Sequence, residues 1–330
     1  MIPEYNLDVI VTRGGAVESV HRVSAAIYAD DALIGQARDP HAVTYWRSSS
    51  KPFQVMPFVR AGQFDEVGWG VDQLALASAS HGGEPEHVAL VQRMLGDIGM
   101  EEGDLACGVS EPLSGRGIRV LRECGCRPSR LHHNCSGKHA AMLARAYTSG
   151  WPSAGYYLLE HPVQQSIVEE IEGWTGIGRD QMELAVDGCG VVVFGLPLDA
   201  MARAYARLAD AVRHGDEVPR RVAEAMMSSP FLVGGTDRFD TVLMEDAPGI
   251  LCKVGAEGVH SAAIIEAGIG IALKVEDGAA RAQFPALLTI LEQLGALPDP
   301  IPPRLAELMR KPVWDSRHEA VGEIVVRASI

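Results

Sequence analysis

Hydrophobic positions in this chain follow two periods, and the change from one to the other divides it. Residues 8 to 37 alternate and carry β-branched residues: Asp8-Val9-Ile10-Val11-Thr12-Arg13, a Gly14-Gly15 turn, Glu18-Ser19-Val20, then Ala25-Ala26-Ile27-Tyr28. Period-two alternation broken by short turns predicts antiparallel hairpins. Residues 249 to 276 repeat the pattern in Ile250-Leu251-Cys252-Lys253-Val254, a turn at Gly255-Ala256-Glu257-Gly258, and further runs over 259–265 and 270–275. Between these ends the spacing becomes helical. Pro85 sits in the first turn of a helix marked by Val88, Val91, Leu95 and Ile98, which ends near Gly99. Residues 140–149 form another, stopped by Gly150, and Val163, Ile167, Ile171 and Trp174 mark a third. Asp199 caps a fourth, carrying Met201, Tyr205, Leu208 and Val212. A last helix is expected over 280–294, before a short rigid connector at 298–303.

These elements predict an α/β (α+β) fold, with one antiparallel sheet built from both chain ends. Residues 1–47 and 240–330 form the sheet part, and residues 48–239 form a largely helical insert. With 330 residues and 47% hydrophobic content the chain can bury a sizeable core. A net charge of -14 argues against nucleic acid or an anionic membrane as partner, because both call for a basic face. Its longest apolar stretch, 261–275, is broken by Glu266 and Lys274 and is too short to span a bilayer. No basic start followed by an apolar run opens the sequence, so a cytoplasmic protein is expected. Six cysteines in such a chain read as reduced thiols or metal ligands, and the Cys124-x-Cys126 pair suggests no role.

Lysine is rare: five of the 29 basic residues. Arginine stays protonated, whereas a desolvated lysine can serve as a neutral base, so the surviving lysines are candidate chemical positions. Ser48-Ser49-Ser50-Lys51 is a Ser-x-x-Lys motif, the pattern of a serine nucleophile with a lysine base. For that role the lysine's reference pKa of roughly 10.4 must fall, through burial and nearby positive charge. Pro52 fits only the first turn of a helix continued by Phe53, Val55, Met56 and Phe58. Ser48 therefore stands at or just before a helix amino terminus, where unpaired amides can stabilise an oxyanion. The bland reading is a serine-rich cap beside a surface lysine. A second lysine, Lys253, lies in Lys253-Val254-Gly255 at the end of a predicted strand. That segment resembles the Lys-Thr-Gly strand of serine β-lactamases and the similar segment of serine-dependent glutaminases. Its bland reading is an edge lysine that blunts aggregation. Two further stretches, His132-His133-Asn134-Cys135-Ser136-Gly137-Lys138-His139 and Asp187-Gly188-Cys189-Gly190, hold ligand types that zinc favours, in a spacing that matches no zinc finger. Read from the residues alone, the reading slightly favoured is that Cys135 and Cys189 are buried small hydrophobes and the histidines satisfy a loop.

Taken together, Ser48 to Gln54, Ser78-Ala79-Ser80-His81-Gly82-Gly83-Glu84, His133 to His139, Asp187 to Gly190 and Lys253 to Gly258 resemble the Rhizobium-type L-asparaginases, a class distinct from the threonine-nucleophile enzymes. The resemblance covers essentially the whole chain. It implies a β-lactamase/glutaminase-like fold, a homodimer, and hydrolysis of L-asparagine to L-aspartate and ammonia through an acyl-enzyme. Carried over by motif, Ser48 is the nucleophile and Lys51 its base, while Ser80 and Lys253 form a second Ser-Lys pair. Cys135, Lys138 and Cys189 are implied zinc ligands. Asp187 and His139 stand beside them, placed to orient the ligands or contact substrate, and Arg47 is a candidate for the substrate α-carboxylate. Ordinary ligand chemistry would favour His139 over Lys138, since an ammonium has no lone pair. A glutaminase or related amidase is one alternative. A β-lactamase or penicillin-binding protein is another, though the chain lacks a Ser-Asp-Asn motif. A third, from a different class, is a non-catalytic zinc-containing amino-acid-binding protein.

Overall fold

The computed structural model describes residues 2–327. From the amino end come β1 (Val9–Arg13), β2 (Ala16–His21), β3 (Val23–Ala29), β4 (Ala32–Ala37), β5 (Val43–Tyr45) and a 3₁₀ turn at Arg47–Ser50. The helical stretch opens with α1 (Lys51–Arg60), α2 (Gln63–Glu66), α3 (Val71–Ala77), α4 (Pro85–Asp97), α5 (Gly115–Cys124), α6 (Ser136–Thr148) and α7 (Pro162–Thr175). There follow β6 (Glu183–Val186), β7 (Val192–Pro197), α8 (Leu198–His214), α9 (Glu217–Ser228), α10 (Pro230–Val233) and α11 (Phe239–Asp246). The chain ends through β8 (Ile250–Val254), β9 (Val259–Ile264), β10 (Ile269–Val275), α12 (Ala280–Gln293), α13 (Pro303–Met309), β11 (Arg310–Trp314) and β12 (Ala320–Val326).

Two compact units emerge. One takes the chain up to Ser49, Leu196–Arg213 and everything from Val242 onward; the other takes Ser50–Gly195 and His214–Thr241. In the first, the two chain ends meet in a five-stranded antiparallel sheet of order β4-β3-β10-β9-β8, with Ala25 opposite Leu273 and Lys253 opposite Ser261. Residues of β3 and β10 are buried almost without interruption. Strands with both faces covered lose their polar alternation, so both read as near-continuous apolar runs. Helix α12 packs along β9 and β10, and α8 approaches β10 at Gly270, where a Cβ would sit 2.1 Å from the Ala202 carbonyl oxygen. Only glycine admits that approach.

The single expected sheet is in fact accompanied by a second, of order β11-β12-β1-β2, in which Val9 faces Val326. The alternation in 8–21 belongs to this sheet and not to the first. Its outer strands β2 and β11 carry exposed Val17, Val20 and Trp314, and β11 and β12, mostly exposed or half-buried, have only a weak apolar signature. Strand β4 falls inside the alternating region of residues 8 to 37, whereas the β6–β7 hairpin has no counterpart among the expected elements.

In the helical unit α1 is buried along nearly its whole length, against α6, α7 and α9, with Phe53 and Trp174 ring centroids 5.5 Å apart. Helices α4, α6, α7, α8 and α12 occupy the expected stretches to within a few residues. Among the described residues no helix is long and apolar enough to cross a membrane. The expectation of reduced thiols fails at one place: Cys124 and Cys126 are joined, their Cα atoms 5.2 Å apart and within reach of a disulfide. Gly125, at φ +64, turns the chain back at the end of α5 and brings them together.

Candidate active site

The Ser-x-x-Lys motif spans a change of element. Ser48 lies half-buried in the 3₁₀ turn, and Lys51 is the first residue of α1, with Pro52 in its first turn as expected. Around Ser48 the turn is fastened within the sheet unit. Ser49 Oγ donates to the Lys253 carbonyl at 2.8 Å, Tyr205 donates its hydroxyl to the Ser49 carbonyl at 2.7 Å, and Trp46 Nε1 donates to Ser261 Oγ. The serine turn and the Lys-x-Gly strand are thus neighbours, and the strand, β8, is an edge strand. A Cβ at Gly255 would lie 3.0 Å from Ser49 Oγ, so glycine keeps this approach open. Lys253 is fully buried and its Nζ donates to the Val254 carbonyl. Arg47 adopts φ +53 in the same turn and is half-buried.

Within the helical unit, Lys51 is fully buried and donates to the Ala79 carbonyl and to Ser80 Oγ, the latter at 3.0 Å. Burial lowers its pKa from the ordinary lysine value; the Cys135 sulfur opposes this and the Lys138 charge adds to it. The bland reading of a surface lysine is therefore excluded. The geometry draws Lys51 to Ser80 of the second motif.

The segment carrying Ser80 is held by groups to which the sequence analysis gave no role, two of them, His81 and Glu84, inside its own motif. The Glu84 side chain is fully buried and accepts from Thr236 N at 2.7 Å, Thr236 Oγ1 at 2.8 Å and Arg116 Nη1 at 2.6 Å. Gly235, at φ +110, lets that loop close on the carboxylate. His81 Nδ1 accepts from Gly83 N, so its Nε2 proton points to Ser136 Oγ at 2.9 Å, which in turn donates to the Leu131 carbonyl. His81 thereby ties the second motif to the third, and burial keeps it neutral by holding its pKa well below the ordinary value. The only sequence signal for the Glu84 clamp was the Gly234-Gly235-Thr236 turn.

Burial raises the pKa of Glu84, yet the hydrogen bonds from Arg116 and Thr236 prevail and leave it below the ordinary carboxylate value of 4.5. A carboxyl with a depressed folded pKa contributes stability above its unfolded pKa and loses it as pH falls through the folded one. Replacing Glu84 with glutamine removes the charge and keeps the shape, and is expected to cost about 2 kcal/mol at neutral pH. Urea midpoints measured from about pH 7 down to about pH 3 should converge for the two proteins in acid. A constant gap over that range would show that the charge is not the source.

Cys135, Lys138 and Cys189 come together, all nearly fully buried, with Lys138 Nζ 3.3 Å from Cys189 Sγ. A hydrogen bond from Cys189 holds Cys135 well below the usual thiol range, with burial opposing and Lys51 and Lys138 assisting. The same hydrogen bond pushes Cys189 upward, so the two sulfurs share one proton. Burial disfavours the Lys138 ammonium, but Cys189, Cys135 and Asp187 outweigh it and raise its pKa. Two sulfurs and a nitrogen in a dry site become a donor set that fits zinc once Lys138 gives up its proton, since an ammonium has no lone pair. Helix α6 reaches this position because Gly137 lets it approach α3: a Cβ there would lie 2.4 Å from the Leu76 carbonyl oxygen. Asp187 opens the turn between β6 and β7, with its carboxylate 3.9 Å from Cys189 Sγ. His139 is fully buried, and its Nδ1 lies 2.6 Å from the Tyr156 hydroxyl, which accepts from Ala106 N. Its Nε2 has no hydrogen-bond partner among the described residues.

The sequence model of the L-asparaginase II family matches residues 9–326. No curated protein matches the chain. Similar solved structures include one described as Mglu in its native form, with 17% identity, covering 83% of this chain and 64% of that one at a TM-score of 0.44. A β-lactamase candidate from Bacteroides dorei DSM 17855 shares 12% identity over 83% of this chain and 94% of that one, at a TM-score of 0.42. The Bacillus subtilis glutaminase YbgJ, in covalent complex with 5-oxo-L-norleucine, shares 14% identity over 83% and 88% at a TM-score of 0.41.

Proposed function

The chain belongs to the L-asparaginase II family, and on that premise we propose that it is an L-asparagine amidohydrolase working through a serine acyl-enzyme. The observation that carries the mechanism is Lys51: a fully buried lysine with a lowered pKa, three residues after Ser48 and hydrogen-bonded to the Ser80 hydroxyl. A lysine so placed is a proton acceptor, which a surface or structural lysine is not.

In this mechanism neutral Lys51 takes the Ser48 proton as Ser48 Oγ attacks the substrate's side-chain amide carbon. Amides at the amino end of α1 hold the oxyanion. Collapse of the tetrahedral intermediate breaks the C–N bond; the proton held by Lys51 passes through Ser80, with Lys253 assisting, to the departing ammonia, so Lys51 is neutral again and an aspartyl ester remains on Ser48. Water, deprotonated by Lys51, then cleaves the ester and restores the serine. Arg47 receives the α-carboxylate, while Asp187 and His139 line the substrate's other polar groups. His139 Nε2, buried and without a hydrogen-bond partner among the described residues, supports that assignment. Cys135, Lys138 and Cys189 would hold a zinc ion, which when bound supplies a fixed positive charge for positioning substrate. A homodimer and a cytoplasmic location complete the reading.

Ammonia release from L-asparagine and from L-glutamine, measured in parallel on the wild-type protein, tests it. Asparagine is expected to be turned over with kcat/KM at least tenfold above glutamine, because one methylene in a fitted site is worth about 10- to 200-fold. Equal or higher turnover of glutamine would assign the chain to the longer amide. No turnover of either, with zinc supplied, would favour the amino-acid-binding protein.

A further inference from the structure

The Cys124–Cys126 pair lies outside the chemistry above. Helix α5 ends on Cys124, and an uninterrupted helix would have turned Cys126 about 200° away. The left-handed Gly125 folds it back instead, and the sulfurs are joined. Both cysteines are exposed, and both line a cavity of about 310 Å³ between α4 and α5 whose wall includes Val88, Gln92, Val120, Arg127 and His132. Cys107, Cys135, Cys189 and Cys252 are all buried, and burial pushes the Cys107 thiol up to about 12.

We propose that Cys124 and Cys126 form a thiol–disulfide exchange site for a low-molecular-weight thiol entering the α4–α5 cavity, with attack directed at Cys124. Exchange needs an accessible disulfide and a sulfur that leaves readily as thiolate. Exposed disulfides are the labile ones, and the cavity gives a small thiol room beside both sulfurs. The two sulfurs differ as leaving groups. Cys124 Sγ lies 3.4 Å from the Leu121 carbonyl oxygen in the last turn of α5, where the helix dipole and a carbonyl oppose negative charge. Cys126 is outside the helix, its Sγ at a longer 3.7 Å from the Cys124 carbonyl oxygen, and Arg127 lines the same cavity. The incoming thiolate therefore bonds to Cys124 Sγ, the Cys124–Cys126 bond breaks, and Cys126 leaves as thiolate. A second thiolate attacks the small-molecule sulfur of the mixed disulfide and releases Cys124. In balance, the protein disulfide is reduced to two thiols and two small thiols are oxidised to one disulfide.

Reduced glutathione is the probe, acting on the purified full-length protein without denaturant, with acid quenching and peptide mass spectrometry. The protein as purified is expected to show no thiol that iodoacetamide alkylates. Brief exposure to glutathione should give a glutathione adduct on Cys124, and excess glutathione should open two alkylation sites, Cys124 and Cys126. Cys126→Ser should be alkylated at Cys124 without reductant and form no adduct with reduced glutathione. Three results would each overturn the proposal: both cysteines alkylated in the protein as purified, a disulfide that resists excess glutathione until the protein is denatured, or an adduct found on Cys126.

Discussion

Lys51→Met is expected to lower kcat by about 10³- to 10⁴-fold, the range associated with loss of a positioned general base. Methionine has nearly the length of lysine and suits a fully buried position, so the site keeps its volume while losing the group that accepts the serine proton. The protein should unfold within a few degrees of the wild type, because the hydrogen bonds lost at Ala79 and Ser80 are offset by replacing a buried amine with an apolar side chain. Lys51→Arg should be as inactive as Lys51→Met, since a guanidinium does not deprotonate. Steady-state ammonia release, with thermal unfolding in parallel, measures both effects. Activity within tenfold of wild type in Lys51→Met would remove Lys51 from the base role. Inactivity accompanied by a large fall in unfolding temperature would assign it a structural one.

The second large effect separates the two serines. Ser48→Ala should reduce kcat by about 10⁵-fold or more, because the bond-forming atom is gone and only substrate positioning remains. Ser80→Ala, which removes the hydroxyl 3.0 Å from Lys51 Nζ, should be milder, about 10²- to 10³-fold, by slowing proton delivery to ammonia. Because ammonia departs before the ester is complete, Ser80→Ala should accumulate no aspartyl ester on Ser48 when examined by mass spectrometry after acid quenching. The hydrogen bond from Lys51 to Ser80 makes the opposite outcome informative. An ester on Ser80 in Ser48→Ala would exchange the two roles and leave Lys51 as the base.

Much of the sheet unit was legible in the amino-acid pattern. Strands β8, β9 and β10 fall within a residue or so of their expected limits because both faces of that sheet are covered and the runs are apolar and sharply bounded by Gly255-Ala256-Glu257-Gly258 and Gly268. The start of α1 was equally plain, since Pro52 tolerates only the first turn of a helix. The lysines stood out by rarity, and Lys51, Lys138 and Lys253 are all nearly or fully buried. By contrast, β11 and β12 lie largely at the surface, where side-chain polarity is nearly free to vary and leaves no period to read.

The sequence alone thus determined the strands of the covered sheet, the start of α1, the stretches of α4, α6, α7, α8 and α12, and which residue types were available for chemistry. These depend on propensity, turn geometry and capping, forces that act over a few residues. Only the tertiary structure decided the partners. It paired Val9 with Val326 and so made a second sheet, and it turned Lys51 toward Ser80. It also closed Thr236 and Arg116 on Glu84 across about 150 and about 30 residues of chain, and joined Cys124 to Cys126 through a single left-handed glycine. The physical reason is that closing a long loop costs little more than closing a short one, so nothing local marks which distant groups will meet. That choice is made by which surfaces bury together and which buried polar groups then find partners.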